Sequence, residues 1–379
     1  MSAAWKPLEK LLEEGVTQGV YTAAVGLVGL KGEVRWQGAA GRLSRDPQAP
    51  AATLATVFDL ASFTKPLATA LALLPLMARR RLTLATTLGE VLSGDWLPPD
   101  KKPLTLLSLL THRAGLPAWR PFYEKILAAP PADRPGLPAR LAAAEPLEAP
   151  GETLYSDLGF MLVQAVVEAV AGEDLDTFCR REIYRPLGLP SFGFNPLPIL
   201  ARRVLPTENS KQQTENRIYA ATETGLIPGR AICGEVHDEN AWAAGGVAGH
   251  AGLFGTARDA FTLLAALYAA YHGAVGPFPP ELARLFLTPV PGGGRTPGFD
   301  TPAADQSAAA GRYFSPASAG HLGFTGVSFW LDLALGQMVV LLTNRVHLGR
   351  DDLSKIRAFR PRFHEAASRA LGFTQAFRG

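Results

Sequence analysis

The feature that most constrains this chain is the octapeptide Asp59–Pro66, which places several polar residues at the start of a long apolar run. The apolar residues that follow keep helical spacing, so a helix is predicted to begin near Ala61, with Pro66 in its first turn. Ser62 and Lys65 then share one helical face, and the ammonium can reach the hydroxyl. Two interpretations stay open: a capped helix with a solvated lysine, or a serine nucleophile that a neutral lysine activates.

The composition excludes several classes of function. Of the 379 residues, 47% are hydrophobic and 19% are charged, which is typical of a globular protein with a sizeable core. The net charge of +3 is small and the basic residues are scattered, so no nucleic-acid partner is predicted. No stretch of eighteen uncharged apolar residues occurs, so no membrane span is predicted either.

The first fifteen residues predict a location. Met1–Gly15 carries five charged side chains and no continuous apolar segment before a cleavage site. We therefore expect a cytoplasmic protein, or a periplasmic one if a leader segment has been removed. Nothing in the sequence indicates an oligomeric state.

Periodic segments outline the secondary structure. Lys31-Gly32 separates two strand-like runs and predicts a hairpin. Glycine, proline and small polar residues predict a surface excursion at 196–232 and a long loop at 291–320. Helices are predicted at 7–15, 158–170, 258–270 and 355–371, and strands at 23–30, 33–38, 327–333 and 337–343.

A second polar cluster, Tyr155-Ser156-Asp157, precedes the apolar helix that is predicted at 158–170. In one interpretation Asp157 is the N-cap of that helix and Tyr155 is a packed aromatic residue. In the other, the ammonium of Lys65 lowers the pKa of the Tyr155 phenol, and the phenolate accepts the proton of Ser62.

A third cluster, His321-Leu322-Gly323-Phe324-Thr325, lies on a predicted edge strand. Glycine beside a strand permits close approach of a ligand, and unpaired N–H groups there can face an oxyanion. Taken alone, His321 is better explained as a surface or loop histidine.

Together, and in this order, the three clusters resemble motifs of the serine β-lactamase and penicillin-binding protein superfamily. The similarity is to the class C β-lactamase-like branch, which includes D,D-carboxypeptidases and family VIII esterases. Ser62-x-x-Lys65 matches its S-x-x-K element, Tyr155-Ser156-Asp157 is similar to Tyr-x-Asn, and His321-Leu322-Gly323 stands where Lys-Thr-Gly is expected. The resemblance spans about residues 10–370 and also includes the segments 109–117, 251–256 and 341–345.

The resemblance implies a role for each matching residue. Ser62 is the nucleophile, Lys65 shares or removes its proton, and Tyr155 is the base and later the acid. The backbone N–H groups of Ser62 and Phe324 form the oxyanion hole. Four residues are implied in substrate binding: Asp157, which also holds Lys65, and His321, Gly323 and Thr325. The reaction is two-step acyl transfer through an acyl-serine, with a small ester, amide or β-lactam as substrate and no cofactor.

Two departures from the family pattern bear on the substrate. His321 replaces a lysine that stays charged, and a histidine there is expected to be only partly protonated. Asp157 replaces a neutral amide and repels a substrate carboxylate. Both changes favour an esterase or peptidase-like hydrolase over an efficient β-lactamase. The alternatives are a β-lactamase or D,D-carboxypeptidase, and, in another class, a non-catalytic penicillin-binding or peptidoglycan-fragment sensor.

The fold expected from this resemblance is α/β of the α+β type, β-lactamase/transpeptidase-like. An antiparallel sheet from the N-terminal hairpin and the C-terminal strands is flanked by the terminal helices. Residues 1–379 form one catalytic unit, with a sheet lobe at 1–59 and 236–379 and a mostly helical lobe at 60–235.

The segment His237-Asp238-Glu239 is the one further place where metal ligands occur together. Residues adjacent in sequence rarely converge on one ion, and the two cysteines lack metal-ligand spacing. No metal site is therefore predicted. The glycine-rich stretch 245–252 matches no phosphate-binding motif and is interpreted as close backbone packing.

Overall fold

A five-stranded antiparallel sheet is the centre of the fold. The computed structural model describes residues 3–195, 219–227, 230–291, 294–302 and 309–377. The sheet has the strand order β2-β1-β10-β9-β8. Its strands are β1 (Ala23–Leu30), β2 (Glu33–Gly41), β8 (Ser318–Leu322), β9 (Ser328–Asp332) and β10 (Gln337–Thr343).

The sheet joins the two ends of the chain, as the sequence predicts. Lys31 and Gly32 turn the β1–β2 hairpin with φ angles of 51° and 83°, which are typical of a two-residue hairpin turn. Strand β1 then pairs with β10, for example Val25 with Leu342. Apart from Gln337 and Thr343 at the ends of β10, both strands are apolar, because helices cover both faces of the sheet.

The helices α1 (Lys6–Thr17) and α12 (Ser354–Ala370) cover one face of the sheet. There the ring of Phe363 lies 6.2 Å from that of Trp36 on β2. On the other face α10 (Ala257–Tyr271) contacts β1 and β10. The approach is close, because a Cβ at Gly29 of β1 would lie 2.3 Å from the Phe261 ring.

Between β2 and the C-terminal strands, the chain is mostly helical. The remaining α-helices are α2 (Leu71–Ala78), α3 (Leu88–Val91), α4 (Leu106–Leu110), α5 (Tyr123–Ala128), α6 (Leu137–Ala144), α7 (Asp157–Ala171), α8 (Leu175–Cys179), α9 (Glu239–Ala243) and α11 (Pro280–Leu287). Short 3-10 helices occur at Ala3–Trp5, Ala61–Phe63, Arg134–Gly136 and Arg345–Leu348, and π-helices at Lys65–Ala70 and Arg180–Tyr184.

Two small sheets accompany this helical region. One has the order β3-β7-β4 and the other pairs β5 with β6. Their strands are β3 (Phe58–Asp59), β4 (Gly193–Phe194), β5 (Thr224–Ile227), β6 (Arg230–Ala231) and β7 (Leu253–Gly255). The predicted lobe boundaries at 59/60 and 235/236 stay a prediction. Most of the predicted excursion at 196–232 and part of the loop at 291–320 lie outside the described residues.

The predicted helix near Ala61 is three consecutive segments. A 3-10 turn, Ala61–Phe63, leads into the π-helix Lys65–Ala70 and then into α2. Pro75 lies inside α2, and α2 continues past it to Ala78. Within the described residues, Ala61–Ala78 is the one helical segment long and apolar enough to suit a membrane, but 78% of it is buried in the protein, as in a core helix.

Candidate active site

Ser62 follows a strained turn at the end of β3. Ala61 has a φ of +47°, a left-handed conformation that costs an alanine about 1–2 kcal/mol. The buried carboxylate of Asp59 supports the turn, since its Oδ1 accepts the Ala61 N–H at 2.8 Å. Such strain often marks a functional site, and here it places Ser62 in the first turn of a helix, where an N–H has no intrahelical partner.

Lys65 is completely buried, and its Nζ contacts three oxygen atoms. It donates to the Ser62 hydroxyl at 3.1 Å and the His250 carbonyl at 3.0 Å, and Asp157 Oδ1 lies at 2.7 Å. These contacts match the three donors of an ammonium. Burial alone would lower the pKa of Lys65, but the charge of Asp157 and the proximity of Tyr155 outweigh it and raise that pKa. Lys65 is therefore a cation at neutral pH.

The loop that carries Tyr155 is fixed by a neighbouring segment of the chain. The His112 carbonyl accepts the Leu154 N–H at 2.9 Å, and His112 Nδ1 accepts the Ser156 N–H at 3.0 Å. Ser156 Oγ donates to the Pro117 carbonyl at 2.6 Å. The role of segment 109–117, which sequence motifs alone could not assign, is thus to position Tyr155 and its neighbours.

The structure corrects the predicted N-cap of α7. The cap is Ser156, whose Oγ accepts the Gly159 N–H at 3.4 Å, and not Asp157. Asp157 is the first helical residue, and its backbone N–H donates to the Ala118 carbonyl at 2.9 Å. Its carboxylate is consequently free to bind Lys65, as the resemblance implied.

The protonation of Tyr155 also differs from the expectation. The residue is half-buried, with the His112 ring 4.5 Å away and the Lys65 Nζ 5.0 Å from its ring centroid. Burial raises the pKa of the Tyr155 phenol, and the charge of Asp157 raises it further. The Lys65 charge and hydrogen bonding to Lys65 and Ser62 act in the opposite direction without reversing the shift. Tyr155 is therefore a neutral phenol in the resting state.

The end of β8 lies opposite Ser62 and Tyr155 and forms the second wall of a cleft. A Cβ at Gly323 would lie 2.4 Å from Val327 Cγ2 and 3.0 Å from the Leu60 carbonyl. The close contact of this segment with Leu60 therefore requires glycine. Arg360 donates to the Gly323 carbonyl at 2.8 Å. The Phe324 N–H has no hydrogen-bond partner among the described residues, which suits it to bind an oxyanion.

His321 and Thr325 correct the predicted set of substrate-binding residues. Both are buried, and neither lines the cleft. Burial lowers the pKa of His321 to about 4, so the residue is neutral rather than partly protonated near neutral pH. The Thr325 hydroxyl donates to the Asp59 carbonyl at 2.9 Å. Thr325 thereby ties the segment beside Phe324 to the turn that holds Ser62.

The two walls enclose a cleft of about 600 Å³. Ser62, Tyr155, Asp157 and Gly323 line it, together with the Phe324 ring. A cleft of this size suits a small-molecule ligand. Of the predicted site residues, the structure thus brings together the catalytic set, the backbone donors and Asp157.

The possible metal ligands at 237–239 diverge to other partners. His237 Nε2 contacts Glu223 at 2.5 Å, Asp238 contacts His250 at 2.9 Å, and Glu239 contacts Arg350 at 2.7 Å. Within the described ranges, no three His, Cys, Asp or Glu side chains are grouped as a metal site would need.

Asp59 is a structural residue of the site that the sequence did not reveal. Besides the Ala61 N–H, its carboxylate accepts the His237 N–H at 2.7 Å, and its carbonyl binds Thr325. It therefore connects the two oxyanion-hole segments. The one feature of the sequence that could have indicated this role is the position of an acidic residue next to the apolar Phe58, in the short buried strand Phe58–Asp59.

Comparison with known proteins agrees with this geometry. A family model described as Beta-lactamase matches residues 8–360. A protein of Escherichia coli O157:H7 with the provisional name D-alanyl-D-alanine carboxypeptidase is 33% identical over 317 residues, which are 78% of this chain and 70% of that protein.

Two solved structures share the fold. A penicillin-binding protein homologue from Caulobacter crescentus has a TM-score of 0.70 at 18% identity and covers 97% of this chain and 98% of its own. EstCE1, a hydrolase with promiscuous acyltransferase activity, has a TM-score of 0.65 at 23% identity and covers 94% and 98%. The α/β fold with an antiparallel sheet is thus confirmed, and the chain belongs to the Beta-lactamase family of serine hydrolases.

Proposed function

We propose that this protein is an esterase-type hydrolase that forms an acyl-enzyme on Ser62. The observation that carries the proposal is the contact between the buried Lys65 ammonium and the Ser62 hydroxyl at 3.1 Å, in a cleft that Tyr155 also lines. A serine hydroxyl becomes a nucleophile only when a neighbouring group takes its proton. Tyr155 is the group placed to do so, and the Lys65 ammonium beside it stabilises the phenolate form.

Acylation follows from these positions. Ser62 Oγ attacks the substrate carbonyl while its proton passes to the Tyr155 oxygen. Since Tyr155 is mostly a neutral phenol, the reactive form is the minority in which it is deprotonated and Lys65 is its counterion. The N–H groups of Ser62 and Phe324 stabilise the oxyanion. The carbonyl–leaving-group bond then breaks, and Tyr155 returns the proton to the leaving group.

Deacylation repeats the sequence with water. Water loses a proton to Tyr155 and attacks the acyl carbonyl, the bond to Ser62 Oγ breaks, and Ser62 recovers its proton. Lys65 remains charged throughout, held by Asp157 at 2.7 Å. The Ser62 proton thus leaves with the leaving group and is replaced by one from water, so the enzyme regains its starting protonation after one turnover.

The charges near Ser62 favour neutral esters. The neutral His321 supplies no cation for a substrate carboxylate, and Asp157 lines the cleft with a negative charge. D,D-carboxypeptidase activity is the second candidate, because the E. coli relative carries that name. A β-lactamase and a non-catalytic sensor rank below these.

Labelling with a fluorophosphonate or penicillin, followed by peptide mass spectrometry, tests the nucleophile. We expect the label on Ser62 and a loss of ester hydrolysis of about 10³-fold or more in Ser62→Ala. Labelling of another residue, or an active Ser62→Ala variant, would refute the proposal.

A substrate panel tests the ranking. We expect p-nitrophenyl butyrate to be turned over faster than nitrocefin and a D-alanyl-D-alanine peptide. Fast nitrocefin turnover without ester hydrolysis would identify a β-lactamase instead. A single burst of product without turnover would identify the sensor.

A further inference from the structure

Two exposed aromatic rings line the cleft, one from each wall. The side chain of Phe324 is 44% exposed and that of Trp119 is 41% exposed, whereas most large apolar residues of the chain are buried. Large apolar side chains exposed together in a concave site are typical of ligand contact. Trp119 directly follows Ala118, whose carbonyl holds Asp157, so the indole belongs to the same rigid segment that positions the catalytic loop.

The Phe324 ring is held in a fixed orientation. The His237 ring stacks on it at 5.7 Å with an interplanar angle of 22°, and the Arg345 guanidinium lies 4.7 Å from its centroid. Arg345 Nε also donates to the Phe324 carbonyl at 3.1 Å. The ring is thus fixed by its neighbours while it lines the cleft, and aromatic rings attract one another in offset-stacked or edge-to-face pairs.

The arginines that line the cleft are largely engaged with other groups of the protein. Arg350 binds Glu223 and Glu239, and Arg360 binds the carbonyls of Gly323 and Val327. Arg345 binds several backbone carbonyls besides that of Phe324; these belong to Gly349, Arg350 and Asp352.

Arg357, the fourth arginine of the cleft, is exposed, and water and salt weaken an ion pair there. The cleft therefore presents fixed aromatic surface beside four arginines, of which three already bind other groups of the protein.

We propose that the cleft recognises an uncharged aromatic group of the substrate between Trp119 and Phe324. This inference rests on the proposed function and specifies its substrate class: esters that carry an aryl or similarly flat apolar group. The group can belong to the acyl part or to the alcohol part, and the same two rings contact it in either case. Each ring is expected to contribute up to about tenfold in kcat/KM.

The experiment compares substrate pairs in wild type, Trp119→Ala and Phe324→Leu. One pair shares the p-nitrophenol leaving group, p-nitrophenyl phenylacetate against p-nitrophenyl acetate. The other shares the acyl group, benzyl acetate against ethyl acetate. The readout is the ratio of kcat/KM values within each pair, which cancels a general loss of activity. Phe377→Ala is the matched control, because this ring is 42% exposed and does not line the cleft.

We expect the aryl preference to fall about tenfold in each cleft variant in at least one pair, and to stay unchanged in Phe377→Ala. The pair that responds identifies which part of the substrate carries the ring. Unchanged ratios in both pairs would overturn the inference, and so would faster hydrolysis of the anionic p-nitrophenyl hydrogen glutarate than of the phenylacetate.

The outcomes for the two proposals are distinguishable. If Ser62→Ala is inactive and the ratios do not move, the acyl-Ser62 proposal stands and the aromatic site is refuted. If Ser62→Ala hydrolyses esters like wild type, the hydrolytic mechanism itself is refuted.

Discussion

The two walls of the cleft differ in the polar groups that they contain. The helical wall buries a charged pair, Lys65 and Asp157, against the Tyr155 phenol and the Ser62 hydroxyl. The sheet wall presents a backbone N–H and an aromatic ring at Phe324, while its titratable residue, His321, is buried and neutral.

This difference indicates that proton transfer takes place at the helical wall and that the sheet wall recognises the substrate. Proton transfer depends on the helical wall, where the charges of Lys65 and Asp157 shift the pKa of Tyr155 in opposite directions. The sheet wall supplies an oxyanion donor and apolar contacts whose protonation does not change near neutral pH. Substitutions on the helical wall are therefore expected to change the rate or its pH dependence, and those on the sheet wall to change substrate choice or stability.

The largest effect is expected for Tyr155→Phe, which removes the hydroxyl and keeps the ring packed against His112. Without the base and acid, kcat/KM for p-nitrophenyl butyrate should fall by about 10²–10⁴-fold. Tyr21→Phe is the matched control, because it removes a buried hydroxyl that donates to the Leu12 carbonyl away from the cleft. If Tyr155→Phe retained activity within a few-fold of wild type, Lys65 would have to be the base.

Asp59→Asn should have the next largest effect, because it loosens the turn that holds Ser62. An amide has one oxygen and cannot replace both carboxylate oxygens, which accept from Ala61 and His237, so a buried donor loses its partner at a cost of about 1–3 kcal/mol in unfolding free energy. Displacement of the Ser62 N–H should lower kcat by up to about 10²-fold with little change in KM.

Urea unfolding and steady-state kinetics measure both effects. Asp46→Asn, at an exposed aspartate that accepts only a local N–H from Gln48, is the control and should leave stability and kcat near wild type. A less stable Asp59→Asn with normal kcat would show that Asp59 supports the fold alone.

The same contrast explains what the sequence could predict. The hairpin at Lys31-Gly32 and the C-terminal strands follow from local turn chemistry and short apolar runs, and both are confirmed. The placement of side chains at the end of β8 is harder, because the strand ends at Leu322 and the chain beyond it has no fixed alternation. Leu322 and Phe324 line the cleft, whereas His321 and Thr325 are buried.

Protonation was harder still to predict. The raised pKa of Tyr155 results from burial and from the sum of several charges in three dimensions, and a motif spacing contains neither quantity. The N-cap of α7 differed by one residue for a similar reason, since Ser156 is oriented by Pro117 and His112, about forty residues earlier. Sequence order therefore predicted which side chains meet at the cleft but not their charge states.

Asp157→Asn, on the helical wall, should shift the pH dependence of kcat/KM. The negative charge of Asp157 raises the pKa of Tyr155, so its removal makes the phenolate easier to form and lowers that pKa. The rise of kcat/KM with pH should then move to lower pH. The amide oxygen can still accept from Lys65, so unfolding free energy should fall by only about 1 kcal/mol.

A pH profile of kcat/KM for wild type and Asp157→Asn measures this shift. Asp238→Asn is the control, because Asp238 also lines the cleft and pairs with His250, yet its charge is not among the causes of the Tyr155 shift. A profile that stayed in place, or moved to higher pH, would mean that Tyr155 is not the group that limits the rate.

His321→Gln should have the smallest effect on catalysis. It tests whether the sheet wall takes part in proton transfer. His321 is already neutral near neutral pH, so kcat/KM there should stay within about threefold of wild type, as for a conservative change outside the reaction. The variant should instead differ from wild type in its unfolding free energy at acid pH. The pKa of His321 is about 4 in the folded chain against 6.5 for an ordinary histidine, so the unfolded chain binds the proton more readily.

The stability that neutral His321 contributes is therefore complete above pH 6.5 and is lost as the pH falls to about 4. Glutamine does not titrate, so urea unfolding of His321→Gln should depend less on pH in that window. His364→Gln, at another buried histidine whose pKa burial lowers to about 3, should reduce the acid dependence in the same direction without affecting activity. A hundredfold loss of kcat/KM in His321→Gln alone would place proton transfer on both walls and remove the distinction between them.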